Sequence, residues 1–388
     1  MTPNRRELLH GSVAILISGG CWSARGASTL ALPGRWQQST PHWAHQMLAW
    51  QLDAWERGDL SHLADAGASN PEWDFMGRTF FVLALANVAL REPQMAGRCV
   101  AAIDRIAGHT LDVERQRGAT AFLLPYGRKG GWCARPGRSL FVDGEIAAML
   151  AARALVAGMG PWAEELDMRL MRVRDAMRGG PVLSGESYPD ECWTFCNTFG
   201  LMALALARVV GMSVDDTLGH DWLAMARRQL LGGPRGLLVS SYRWDGTHLD
   251  GPEGSSLWMS LHNLRWVDPV FASRHYARAR DALLGTVAGF GYAREWPDGG
   301  TFGPDVDSGP IVPLLGASPG SSGLALVAAG AFGDRAAWRA LTASLELAAL
   351  PHVQGGGRRY LAGNAVGDAV ILYAAVQGPL YDLWRSRT

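Results

Sequence analysis

Between Gly185 and Ala207 the chain reads GESYPDECWTFCNTFGLMALALA. Three carboxylates (Glu186, Asp190, Glu191), two thiols (Cys192, Cys196), the phenol of Tyr188 and the indole of Trp193 fall within eleven positions, directly before an apolar stretch. A helix start needs one capping side chain, so this density points to a site more than to a cap. The chemistry on offer is proton transfer. Carboxyls can act as acid and base, a thiol as a further donor, and ring faces can stabilise a developing cation by about 0.5 to 2 kcal/mol each. More carboxylates sit in segments of the same kind: Asp143 and Glu145 in LFVDGE, and Asp298, Asp305 and Asp307 in EWPDGGTFGPDVDSG.

Bringing such groups together requires elements that converge. Six apolar stretches rich in small residues recur along the chain. They are FFVLALANVAL from Phe80, GEIAAMLAARALVAG from Gly144, NTFGLMALALARVVG from Asn197, EGSSLWMSLHNLRWV from Glu253, SSGLALVAAGAFG from Ser321 and NAVGDAVILYAAV from Asn364. Five are followed by a more charged stretch, such as GPWAEELDMRLMRVRDAMR, with apolar residues at three- and four-residue spacing. Helices apolar all round must be buried, and one-sided helices lie at the surface. Their alternation predicts two concentric layers: an all-α (α/α)6 barrel, a six-hairpin toroid forming a single domain over residues 40–388. HWAHQMLAWQLDAWERG, from His42, supplies the outer partner that the C-terminal stretch lacks. An open helical solenoid is the alternative. Abundant Ala and Gly on the inner stretches favour closure, because small side chains let helices approach closely.

In such a toroid the loops leading into the inner helices all open at one end. Here they are long and glycine-rich: PYGRKGGWCARPGRSLFVDGE, SGESYPDECWTFCN, SYRWDGTHLDGPEGSS, EWPDGGTFGPDVDSGPIVPLLGASPGSS and VQGGGRRYLAGN. Loops at the other end are short, as in VAGMGP, VVGMSVDD and AGAFGD. Long loops converging on one mouth mark the site, and the inner helices direct their positive N-termini toward it. Glu145, desolvated on an inner helix, suits the acid role. Asp305 or Asp307, near backbone N–H groups of a glycine turn, suits the base role, with Glu186 as a further carboxyl. Tyr188, Trp193, Trp296 and Phe302 would line the cavity, and Asp143 would bind substrate there. Cys196 either donates a proton or packs. Bland readings stand beside these: Glu145 pairing with Arg138 or Arg128, Asp190 and Glu191 complementing a helix start, and Asp305 tying down its own turn. His248 and His262 read as loop and core residues, and no H-x-x-x-H or dense His/Asp cluster suggests a metal.

Composition narrows the class. In 388 residues the formal net charge is zero and no basic stripe is visible, which argues against nucleic acid as a partner. Sixteen Trp and 48 Gly suit a site for a flat or apolar small molecule. At the N-terminus, Arg5 and Arg6 precede a short apolar run from Leu8 to Gly20 and then small residues. Residues 1–28 therefore read as an export signal, twin-arginine-like or general secretory, with the remainder directed to a bacterial periplasm. The run is too short for a comfortable membrane span, and Cys21, preceded by SGG, is a poor lipidation site. Cys99, Cys133, Cys192 and Cys196 then remain, without a CxxC for structural zinc.

SYPDECWTFCNTFGLMALALARVVG, NPEWDFMGRTFFVLALANVALREPQMAG, LFVDGEIAAMLAARALVAG and DVDSG followed by GLALVAAGAFGD together resemble the corresponding parts of linalool dehydratase-isomerase, in the same order over most of the chain after about residue 40. The resemblance implies an (α/α)6 barrel, a periplasmic location, a ring-shaped homo-oligomer, no cofactor, and dehydration and isomerisation of a monoterpene alcohol. The second of that family's two active-site cysteines corresponds to Cys196, and the first falls on Ser187. Its catalytic His falls on Glu145, and a Tyr on the first inner helix falls near Gly77. An Asp lent by a neighbouring subunit corresponds to Asp53, and the acidic-glycine turn places Asp305 and Asp307 in the mouth.

Two enzyme readings and one non-enzyme reading follow. The first is a lyase or isomerase of a small, isoprenoid-type alcohol working by side-chain acid–base catalysis. The second is a carbohydrate-active (α/α)6 enzyme: with Glu at the His position and Ser at the Cys position, the site offers paired carboxylates such as Glu145 with Glu186, Asp305 or Asp307. The third is a non-catalytic small-molecule binding protein with the same cavity.

Overall fold

The structure, a computed structural model, describes residues 39–297, the backbone of 305–306, and residues 309–312 and 315–388. The segment read as an export signal lies outside these residues. Among them are fourteen α-helices. An N-terminal pair, α1 (His42–Arg57) and α2 (Ser61–Ser69), precedes six long apolar helices. These are α3 (Pro71–Arg91), α5 (Leu140–Ala157), α7 (Thr194–Val209), α9 (Gly254–Leu264), α11 (Pro319–Phe332) and α13 (Ala365–Val376). Between them run α4 (Ala96–Arg117), α6 (Ala163–Gly179), α8 (Leu218–Gln229), α10 (Pro269–Leu283) and α12 (Arg335–Ala348), and α14 (Pro379–Arg387) ends the chain.

The two kinds of helix bury what their patterns predict. In α3 all residues from Thr79 to Ala89 are buried, as are Leu140 to Leu155 in α5. By length and composition α3 could cross a membrane, yet 78% of its apolar stretch is enclosed by the other helices. On α4, by contrast, burial recurs at Cys99, Ala102, Ile103, Ile106, Ala107, Thr110 and Leu111, one face only. The starts are chemically marked. Asn70 accepts from the Glu72 N–H ahead of Pro71, and Asp268 and Ser318 do the same for α10 and α11, each again followed by proline.

The six apolar helices form a closed ring. Each packs on the next, from α3 to α5 and onward to α13, and α13 returns to pack against α3. The barrel is therefore an (α/α)6 toroid, and the open solenoid is excluded. Two glycines show how close the inner helices come. A Cβ on Gly144 of α5 would meet the Gly200 backbone of α7 at 3.3 Å, and one on Gly77 of α3 would lie 3.5 Å from Val366 Cα of α13. As expected, α1 supplies the outer partner of α13, lying against both α13 and α4. The last helix does something the sequence did not announce. It crosses the end opposite the loops: Leu380 N–H donates to Asn87 Oδ1 at 3.1 Å, and Tyr381 and Trp384 pack on Trp266 with ring centroids 5.2 and 5.3 Å apart.

The loop end carries small antiparallel hairpins, for example Leu284–Val287 with Phe290–Ala293 and Pro351–Gln354 with Gly357–Tyr360. A three-stranded patch joins Cys192–Trp193, Ser241–Tyr242 and His248–Asp250. It fixes the chain just before α7, with Cys192 opposite Tyr242 and Trp193 opposite Ser241.

Candidate active site

Glu145 lies one and a half turns into α5 and is fully buried. Its Oε2 accepts from the Thr79 hydroxyl of α3, and its Oε1 has no hydrogen-bond partner. Burial pushes this carboxyl up to about 8, with the charge of Glu72 adding and the Thr79 hydrogen bond opposing. At neutral pH it carries a proton, and its oxygen without a partner is free to donate it. Arg138, the partner of the bland reading, is occupied by Asp143 and Glu114 instead.

Glu72, in the first turn of α3, completes the pair. It accepts a hydrogen bond from the Tyr188 hydroxyl, which itself accepts from the Leu124 N–H at 2.9 Å. That donor network directs the phenolic proton onto Glu72. Tyr188 is buried and stacked on Tyr126 at 4.4 Å, and burial beside Glu72 raises its own pKa far out of the physiological range. Cys196, on the first turn of α7, is buried in the same wall. Burial is the largest cause raising its thiol well above the ordinary range; Ser187, its hydrogen-bonding neighbour, opposes, while Glu145, Glu72 and Glu191 add. It is a thiol there, not a thiolate. Three inner helices and the loop before α7 thus place Glu72, Glu145, Cys196, Ser187 and Tyr188 in one neighbourhood.

The other sequence candidates divide. Glu186 is buried, but its carboxylate is used up by backbone donors: Cys133 N–H at 2.9 Å and Asp190 N–H at 2.7 Å on one oxygen, Ala134 N–H at 2.8 Å on the other. It staples two mouth loops together, with three backbone donors shared over its two oxygens. Asp143 faces away from Glu145, toward α4 and α6. It pairs with Arg138 at 3.0 Å, Arg169 at 2.6 Å and Arg172 at 3.6 Å, beneath a surface cleft of about 500 Å³ lined by Glu114, Arg138, Arg169 and Arg172. The substrate-binding role read for it is replaced by this network. Asp53 stands exposed on α1, held by Arg57 and Arg98, away from the inner ring. Trp193 is half-buried and donates its indole N–H to Glu191. Asp190 and Glu191 do not cap α7, whose N-cap residue is Trp193 with no side-chain cap. Asp190 instead binds Arg243 and the Trp244 N–H. Trp296 is half-buried beside Glu295. Asp305 lies in a two-residue strand paired with Pro310, its side chain outside the described atoms, and Asp298, Phe302 and Asp307 lie outside the described residues.

Two members were missed. Glu72 reads in sequence as an ordinary helix-start carboxylate after Asn70-Pro71. Thr79 reads as one polar residue inside an apolar run. Their only signal was register: with α3 and α5 as neighbours, both lie on the loop half of α3, Thr79 at the level of Glu145 and Glu72 about two turns nearer the loops. The four cysteines of the described region are all free, and among the described residues no group of three or more His, Cys, Asp or Glu is placed to hold a metal ion.

Fold and site together define a six-hairpin toroid with a carboxyl-rich wall at its open end. Among known proteins, no family model and no curated sequence matches the chain. Among solved structures, the GH76 α-mannanase of Bacteroides thetaiotaomicron, as a selenomethionine derivative, superposes with a TM-score of 0.47 at 11% identity, over 79% of this chain and 86% of that one. At that distance nothing about residues or substrate transfers.

Proposed function

We propose that this protein is a carbohydrate-active enzyme that breaks a glycosidic C–O bond by acid–base catalysis at the mouth of the toroid. One observation carries the reading: a buried, neutral carboxyl with an uncommitted oxygen, Glu145, lies within electrostatic reach of a second acidic side chain, Glu72, which accepts from Tyr188. Two carboxyl groups held in opposite protonation states are what such cleavage needs. Glu145 Oε1–H protonates the departing oxygen as the C–O bond breaks. Glu72, steadied by Tyr188, supplies the negative charge opposite the developing oxocarbenium ion, either activating water or bonding to the sugar carbon. Tyr126, exposed and stacked on Tyr188, offers a ring face to the sugar.

The second reading is dehydration and isomerisation of an isoprenoid alcohol, in line with the resemblance to linalool dehydratase-isomerase. It is favoured by the protonated Cys196 thiol beside Ser187 and Glu145. Incubation with a panel of oligosaccharides, linalool and geraniol, followed by product analysis, separates the two. New reducing ends support the first reading, and myrcene-type alkenes or rearranged alcohols without sugar cleavage overturn it in favour of the second.

A further inference from the structure

Among the described residues, two carboxyl oxygens are buried without a hydrogen-bond partner: Oε1 of Glu145 and Oε2 of Glu295. The first belongs to the acid described above. The second takes no part in that step. Glu295 is 1% exposed and follows the Phe290–Ala293 strand. Its carbonyl accepts from Gly254 N–H at 2.7 Å and its own N–H reaches the Gly316 carbonyl at 3.3 Å, which pins it over the start of α9. There Oε1 accepts from the Ser255 N–H at 3.1 Å and from the Ser255 hydroxyl. One oxygen is thus held by the helix start while the other has nothing to accept from. A buried polar atom left this way is costly unless a donor, from water or from a ligand, reaches it.

The start of α9 is at the loop end of the barrel, two places around the ring from α5. With neighbouring helix axes about 8 to 10 Å apart, the axis of α5, which carries Glu145, and that of α9, over whose start Glu295 sits, are about 14 to 17 Å apart, the reach of a short oligosaccharide. A monoterpene alcohol has one hydroxyl and cannot serve both. We infer that Glu295 is a substrate-binding residue, its uncommitted oxygen accepting hydroxyl hydrogen bonds from a polyhydroxylated ligand, so that the mouth takes an oligosaccharide spanning α5 to α9. This rests on the carbohydrate reading above.

The test is calorimetric binding of neutral mannose, glucose and xylose trisaccharides, with linalool as the one-hydroxyl control, to wild type, Glu295→Gln and Ser255→Ala. Glutamine keeps the Ser255 contacts but turns an amide donor where an acceptor is needed. Wild type should bind at least one trisaccharide saturably. Glu295→Gln should weaken that by about 10- to 100-fold, with a thermal midpoint equal to or above wild type. A merely structural role would lower the midpoint and spare affinity. Should Glu295→Gln not fold, Ser255→Ala, which unmoors the carboxylate, should weaken binding several-fold. Trisaccharide affinity unchanged in the folded variants overturns the role of Glu295 and leaves the carbohydrate reading standing. Failure of every trisaccharide to bind wild type, with or without linalool binding, removes both.

Discussion

Asp143 and Glu145 are two residues apart on one helix and equally hidden from water, yet their surroundings are opposite. Asp143 turns outward to α4 and α6 and meets three guanidiniums. Glu145 turns toward α3 and meets one hydroxyl. The first is a buried charge whose cost is offset by Arg138 and Arg169, with Glu114 sharing the same guanidiniums. The second has no cation and takes up a proton instead. Paired with arginines, Asp143 holds structure together; without a cation, Glu145 holds a proton.

That contrast can be attacked from either side. Glu145→Gln should lower turnover by about 10²- to 10⁴-fold with unchanged circular dichroism, and near-normal turnover would end its role as the acid. On the other side, Arg169→Met should remove the more buried of the two guanidiniums that Asp143 and Glu114 share, leaving Arg138, and cost about 3 to 5 kcal/mol in chemical denaturation. A loss below 1 kcal/mol would show the network to be decorative.

The pH dependence sharpens the same comparison. Below about pH 4.5 Glu145 is protonated in both folded and unfolded chains and contributes nothing to the slope. As pH rises toward 8 the unfolded chain releases the proton while the folded one keeps it, so stability is progressively lost. Glu145→Gln should therefore gain thermal stability over wild type across that window, increasingly so up to about pH 8. A constant difference would place a partner on Glu145 that the structure does not contain. Smaller effects follow. Iodoacetamide at neutral pH should label exposed Cys133 long before buried Cys196, read by peptide mass spectrometry. Asp53→Asn should move the unfolding free energy by no more than about 0.5 kcal/mol, since its arginine pairs are exposed.

What could be read from sequence followed periodicity. Helices buried all round and helices buried on one face differ in pattern, and their alternation fixes both the layers and the end at which the long loops gather. Glu145 and Cys196 were legible because a charged or reactive group inside an apolar helix is conspicuous. Glu186 was conspicuous for its place in a loop crowded with reactive groups, and its residue type could not reveal that three backbone N–H groups across two loops would claim it. Glu72 escaped because a carboxylate after Asn-Pro is explained by the helix dipole alone. Which face Asp143 presents depends on where α6 brings Arg169, a long-range fact absent from the local pattern. The carboxylates of the glycine turn, Asp305 and Asp307, have no described side chains to compare.

The seam between α3 and α13 joins segments nearly three hundred positions apart, Gly77 against Val366. Until the last hairpin is made, the cylinder has a missing stave, and α3 shows an oily flank to water. A ribosome therefore releases almost the whole polypeptide before the vessel can hold its shape, and a premature stop codon shortly before Ala365 would leave an open, sticky gutter in place of a cup.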